Sequence, residues 1–285
     1  WNEFTDPLHH EWNLIGKKVD SRELEEDQEN STIYYIPLNF WFTKNIGDAL
    51  PLIALQNHEI KLKLELRKLS ELIVTDGTSV ESSGDITEIK IFGDFIYLED
   101  QERKLFAEQE HEYLIEQVQH DIYSLNEGKN NIELELFKNP IKELIWVFRH
   151  KNRKSIVNAT SSSNYSLNLK TSNTNSNDYF NYSSNSINTS LGLNTYDVFK
   201  SANIELNGSH DRFSVREAPY FRQIEPLQHH SNIPQKHIYC YSFCLNPEKH
   251  QPSGTLNMSV IDSKKLILNN VISSDFELLV YAIGY

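Results

Sequence analysis

From Ile60 to Leu66 apolar and charged residues alternate without a break, Ile-Lys-Leu-Lys-Leu-Glu-Leu. A period of two places every apolar side chain on one face of a half-buried strand. Asn131–Leu136, Asn-Ile-Glu-Leu-Glu-Leu, repeats the pattern. Further strands are expected at Ile86–Leu98, Ile141–Arg149, Ile238–Leu245, Thr255–Val260, Lys265–Leu268 and Glu277–Ile283, several bounded by Gly, Pro or Asn. Between two of them, Gln251-Pro-Ser-Gly254 has the residues of a reversing turn: proline presets φ and glycine permits a positive φ. One helix is expected from Glu99 to Glu108, with carboxylates in its first turn facing the positive end of the helix dipole.

Two polar stretches interrupt this pattern. Residues 17–32 are acidic with little to bury and read as an exposed loop. Of the 33 residues from 158 to 190, 23 are Asn, Ser or Thr. Such a tract cannot bury enough apolar area to offset its ordering entropy, so it is expected to be an inserted outer loop. Acceptor-type sequons stand at Asn30, Asn158, Asn164, Asn181, Asn188, Asn207 and Asn257. Many short strands, long loops and almost no helix predict an all-β protein of sandwiches or jelly rolls. One strand set before residue 125 and another after 130 suggest two such units in tandem.

Composition narrows the function. The 285 residues carry a formal charge of −13, which opposes a direct role on nucleic acid, where phosphates must be neutralised by Lys and Arg. The one basic run, Arg149–Lys154, reads as a solvated loop edge. No apolar run near 18 residues is present, so no membrane insertion is expected. Cys240 and Cys244 would sit on one face of a strand about 13 Å apart, too far to bridge, and are expected to be buried reduced thiols. The chain opens on Trp1 and ends inside the apolar run Phe276–Tyr285, as a piece of a longer coding sequence would.

Catalytic motifs are lacking: no Gly-rich phosphate loop and no nucleophile elbow occurs. His9–His10, His229–His230 and His237, with Glu225, are the residues to test against a cupin-like metal site. Neighbouring histidines on a strand would face opposite ways, however, and no metal, cofactor or catalytic residue is expected. Asp211, Arg212, Arg216 and Glu217 read as an ion-pair network on a loop. Phe40, Trp41, Phe42 and Trp146 are expected in sandwich cores. Tyr165, Tyr179, Tyr182 and Tyr196 are aromatic residues of the polar insertion that could stack on sugars.

Several blocks resemble, in order, the major capsid proteins of nucleocytoplasmic large DNA viruses: Pro37–Phe42, Leu50–Glu59, Tyr97–Arg103, His111–Gln117, Pro140–Val147, Leu206–Glu217, Gln228–His230 and His250–Thr255. The resemblance covers nearly the whole chain apart from the Asn/Ser tract. It implies tandem antiparallel jelly rolls, with 1–125 the C-terminal part of the first and 126–285 the second, carrying the 158–190 insertion. The N-terminal half of the family's first jelly roll has no counterpart here. The function implied is noncatalytic: homotrimers of pseudo-hexagonal outline tile an icosahedral virion shell, in contact with neighbouring capsomers and minor capsid proteins and assembled in the host cytoplasm. The alternatives are a minor capsid paralogue or a carbohydrate- or receptor-binding β-sandwich.

Overall fold

The computed structural model describes residue 4 and residues 35–43, 45–55, 57–66, 88–151, 182–184, 196–208 and 210–285. Its organised centre is a two-sheet antiparallel sandwich. The principal strands are β1 (Gln117–Ser124), β2 (Gly128–Glu133), β3 (Pro140–His150), β4 (Ser201–Leu206), β7 (Ile238–Ser242), β9 (Lys264–Val271) and β10 (Phe276–Gly284). Two-residue strands β5 (His210–Asp211), β6 (Arg216–Glu217) and β8 (Leu256–Asn257) complete the sheets. Sheet A has the order β1-β10-β3-β7, with β8 also on β3; sheet B has the order β2-β9-β4-β5, with β6 also on β4. Successive strands cross repeatedly from one sheet to the other, and this wiring defines a jelly roll. Its first strand comes from residues before 125: β1 pairs with β10 along its whole length, Gln117 with Gly284 through Ser124 with Glu277.

The core follows from strand parity. Leu144, Trp146 and Phe148 of β3, Leu278, Val280 and Ala282 of β10, and Tyr239 and Tyr241 of β7 point inward against Ala202 and Ile204 of β4 and Leu266 and Leu268 of β9. Phe221 packs at a tilt against Trp146 with ring centroids 5.2 Å apart, and Phe199 meets Tyr239 edge-on at 4.9 Å. Phe221 is carried by a π-helical turn, Tyr220–Ile224, which runs directly into the short helix α2, Glu225–His229.

The expected helix is present as α1, Asp100–Glu108, and its start is fixed by a reciprocal capping box between Glu99 and Glu102. The strands expected at 141–149, 265–268 and 277–283 are present and slightly longer. Those at 131–136 and 238–245 are shifted or shortened to β2 and β7. Thr255–Val260 divides into β8 and a 3-10 turn, Met258–Val260.

Other expectations fail. Residues 60–66 and 88–98 join no strand ladder among the described residues, and Ile60, Leu62, Leu64 and Leu66 are exposed. Alternation supplies an amphipathic ribbon; a strand also needs a neighbour for its N–H and C=O groups. Phe40, Trp41 and Phe42 lie at a 3-10 turn, Trp41–Thr43, and form a partly exposed aromatic group with Tyr113; Trp146 alone of the four expected core aromatics is fully buried. Gln251–Gly254 does not reverse a hairpin. β7 and β8 both lie antiparallel to β3 on the same edge, so residues 243–255 form an excursion that rejoins that edge. Its neck is tied by Ser253 Oγ, which accepts from the Asn246 N–H at 2.9 Å. Gly254 does have the positive φ anticipated, +132°, and a β-carbon there would press on the Phe243 carbonyl oxygen at 3.3 Å.

Candidate assembly surface and buried ionic cluster

The two sheets present opposite outer faces. On sheet B that face carries Ser201, Asn203, Glu205, Asn131, Glu133, Lys265 and Asn269 around Ile267. Glu133 and Lys265 are cross-strand partners joined at 2.9 Å, and the carboxylate raises the Lys265 pKa. This face is largely polar, with Asn203 and Ile267 buried within it.

Sheet A differs. Its outer side chains Ile145 and Val147 of β3, Ile238 and Cys240 of β7, and Leu279 and Ile283 of β10 form a second buried apolar cluster, covered by Phe4 and Tyr182. β3 is therefore buried at nine consecutive positions, Ile141–Arg149. A strand covered on both faces reads as a near-continuous apolar run. Cover thins toward β1, where Val118 and Ile122 are exposed. Tyr182 belongs to the Asn/Ser tract but is seated here, and next to it Ser183 is buried and the Ser184 N–H donates to the Tyr196 carbonyl at 3.0 Å.

A buried sheet face must pair every charge it carries. Arg149, expected in a solvated run, is 5% exposed and donates through Nε to Glu277 Oε1 at 2.7 Å. These two residues are cross-strand partners of β3 and β10. Lys142 is 1% exposed, ion-paired with Glu116, and donates to the Pro247 carbonyl at 2.7 Å.

The third group centres on His230. Its Nε2 lies 2.6 Å from Glu143 Oε1 and its Nδ1 lies 3.1 Å from Glu248 Oε1. Phe4 stacks on the ring at 4.3 Å. Cys240 stands beside them on β7: ligand atoms of Glu143, His230 and Cys240 all fall within 4.8 Å of one another. Burial, then the charges of Glu143 and Glu225, push the Cys240 thiol well up. Burial likewise raises the Glu225 carboxyl, opposed by hydrogen bonds from Tyr220 and the Ser242 N–H.

The residues singled out from sequence are thus dispersed. His229 faces Glu225 at 3.8 Å and the Leu245 carbonyl at 3.1 Å, while His237 approaches Asp197 at 3.7 Å. Only His230 joins a cluster, with two partners that the sequence reading used otherwise: Glu143 as a strand residue and Cys240 as an inert thiol. His9 and His10 lie outside the described residues. Asp211, Arg212, Arg216 and Glu217 form no mutual network; Asp211 accepts from Asn203 at 2.7 Å and Arg216 lies over the Tyr220 ring at 5.5 Å. Of the four insertion tyrosines, Tyr196 is exposed and Tyr182 packs against sheet A; Tyr165 and Tyr179 lie outside the described residues. Cys240 and Cys244 are buried and free.

Two antiparallel sheets wired in this way, with an apolar outer face on sheet A covered by Phe4 and Tyr182, define a β-sandwich of the jelly-roll class. Residues 102–277 match the family model for the large eukaryotic DNA virus major capsid protein, and residues 1–99 match the model for the major capsid protein N-terminus. The chain belongs to this capsid protein family. Similar proteins include the major capsid protein of Pyramimonas orientalis virus, 34% identical over 100% of this chain and 67% of the relative. That of Phaeocystis pouchetii virus is 32% identical over 89% and 62%, and that of Paramecium bursaria Chlorella virus 1 is 35% identical over 82% and 54%. The chain therefore spans about half to two thirds of these relatives. Among solved structures, the PBCV-1 VP54 crystal structure fitted into a reconstruction of the virophage Sputnik matches with a TM-score of 0.63 and 30% identity, over 88% of this chain and 67% of that one.

Proposed function

We propose that the protein is a structural, noncatalytic component of an icosahedral virion shell, acting as a homotrimer of two jelly rolls per subunit with a pseudo-hexagonal outline. Membership of the capsid family supports this reading, and the observation that carries it is the double burial of sheet A. A sandwich that functioned alone would turn a polar face to water on both sides; here Phe4 and Tyr182 cover part of one face and Val118 and Ile122 extend it apolar to the β1 edge. We place the boundary between the two units in 109–116, between α1 and β1, because β1 completes sheet A of the second unit. Residues 35–66 and 88–98 then belong to the first unit, whose exposed alternating segments need partner strands. Neighbouring capsomers and minor capsid proteins are the remaining partners, and assembly takes place in the host cytoplasm.

The test is quantitative proteomics of purified virions. Peptides of this protein at or near the highest molar abundance in the particle are expected. Trace abundance would instead assign it as a minor capsid paralogue, and absence from the particle would overturn the shell role. A carbohydrate-binding reading loses one of its four aromatic residues, because Tyr182 is committed to packing.

A further inference from the structure

We infer that Glu143, His230 and Cys240 form a structural site for a zinc-class divalent metal ion, fastening the α2 end to the outer face of sheet A. The three residues reach the site from β3, the C-cap of α2 and β7. Carboxylate, imidazole and thiol are the ligand types that zinc accepts together. Their ligand atoms already lie within 4.8 Å of one another.

A second observation points the same way. The Glu143 side chain is fully buried, yet its Oε2 has no hydrogen-bond partner. A carboxylate oxygen left unpaired in a dry site costs on the order of 1–3 kcal/mol, a penalty that a bound cation removes. The local charge is also unbalanced toward anions, since the carboxylates of Glu143 and Glu248 flank the single His230 imidazole.

The outer shell is present as well. Metal-bound histidines hold their second nitrogen on a carboxylate, which fixes the tautomer and the ring. Glu248 supplies this through His230 Nδ1 at 3.1 Å, and is itself held by the Ser231 N–H at 2.8 Å. Phe4 closes the ring face. The 2.6 Å separation of His230 Nε2 and Glu143 Oε1 is shorter than the edge of a zinc tetrahedron, roughly 3.3 Å for bonds of about 2.0–2.1 Å. The two groups therefore part by less than an ångström on binding. The fourth position goes to water. Binding exchanges two protons for metal–ligand bonds, the Cys240 thiol proton and the proton shared by His230 Nε2 and Glu143 Oε1, and releases both to solvent, so affinity rises with pH.

The experiment uses the whole protein in its assembled form, stripped with a chelator and titrated with Co(II). The expected result is one ion per chain, a thiolate-to-cobalt charge-transfer band, displacement by Zn(II), and a raised melting temperature. Cys240→Ser abolishes the band. Glu248→Gln, at a partly exposed residue outside the ligand set, weakens cobalt binding by about 10–100-fold. Absence of a thiolate band in the wild-type protein, or a band that survives in Cys240→Ser, overturns the site, and the wild-type spectrum gives this answer even if a variant fails to fold.

Discussion

Removing the Glu277 carboxylate tests whether sheet A is covered on both faces. Glu277 and Arg149 side chains are 7% and 6% exposed, and the guanidinium approaches one carboxylate oxygen through both Nε and Nη2, at 2.7 and 2.6 Å. Were this face open to water, the pair would contribute at most about 1 kcal/mol. Buried, the loss of one partner deprives the other charge of its cross-strand counter-ion in a low-dielectric site and costs about 3–5 kcal/mol. For a sandwich of this size each kcal/mol shifts the melting temperature by about 2–4 °C, so Glu277→Ala is expected to melt roughly 6–20 °C lower. Replacing both residues, as in Arg149→Met with Glu277→Leu, removes the remaining charge and should recover most of the loss. Differential scanning fluorimetry of the whole protein, with circular dichroism to establish the fold, reads all three variants. A Glu277→Ala shift of a degree or two, or a double variant no better than the single one, would refute double burial.

Gly284→Ala should loosen the β10–β3 ladder, because a β-carbon there would sit 2.2 Å from the Pro140 carbonyl oxygen and 2.9 Å from Ile141 Cα, both backbone atoms. A loss of about 1–3 kcal/mol in urea denaturation is expected, and an unchanged midpoint would contradict that close approach. Tyr123, Tyr239, Tyr241 and Tyr285 all have raised pKa values, and Tyr220 is pushed up to about 12, in each case chiefly by burial. Above pH 10 the unfolded chain thus binds fewer protons than the folded one, so stability falls as pH rises. Tyrosinate absorbance from these residues should appear together with unfolding; full titration near pH 10 in a folded protein would count against burial. Deleting 160–178 should leave melting unchanged, because that segment's composition offers little to bury. Tyr182→Ala should lower it through the lost packing on sheet A, and the reverse ranking would reject the division of the tract.

Legibility in the sequence followed burial. β3 and β10 could be read because inner and outer residues are both apolar, giving unbroken runs such as Leu-Ile-Trp-Val-Phe at 144–148. β1 was missed because Gln-Val-Gln-His-Asp-Ile-Tyr-Ser occupies a sheet edge and stays largely exposed. β4 was missed because Ser-Ala-Asn-Ile-Glu-Leu buries Asn203 together with Ala202 and Ile204, masking the alternation. Ile60–Leu66 shows the converse: a strict pattern forms no ladder where no neighbour is present among the described residues. The ionic cluster was only partly visible. His230 could be noticed, but its partners stand 87 positions away at Glu143 and ten away at Cys240, and β3–β7 pairing with the α2 turn brings them together. A glutamate and an arginine at outward positions of the apolar run 141–149, Glu143 and Arg149, were the available signal that this strand's outer face is buried and paired.

The measurement that bears most directly on the shell-forming role is the solution mass of the whole protein, by light scattering coupled to size exclusion. The expected result is a stable species of three subunits that persists on dilution. A well-folded monomer at the same concentrations would contradict it.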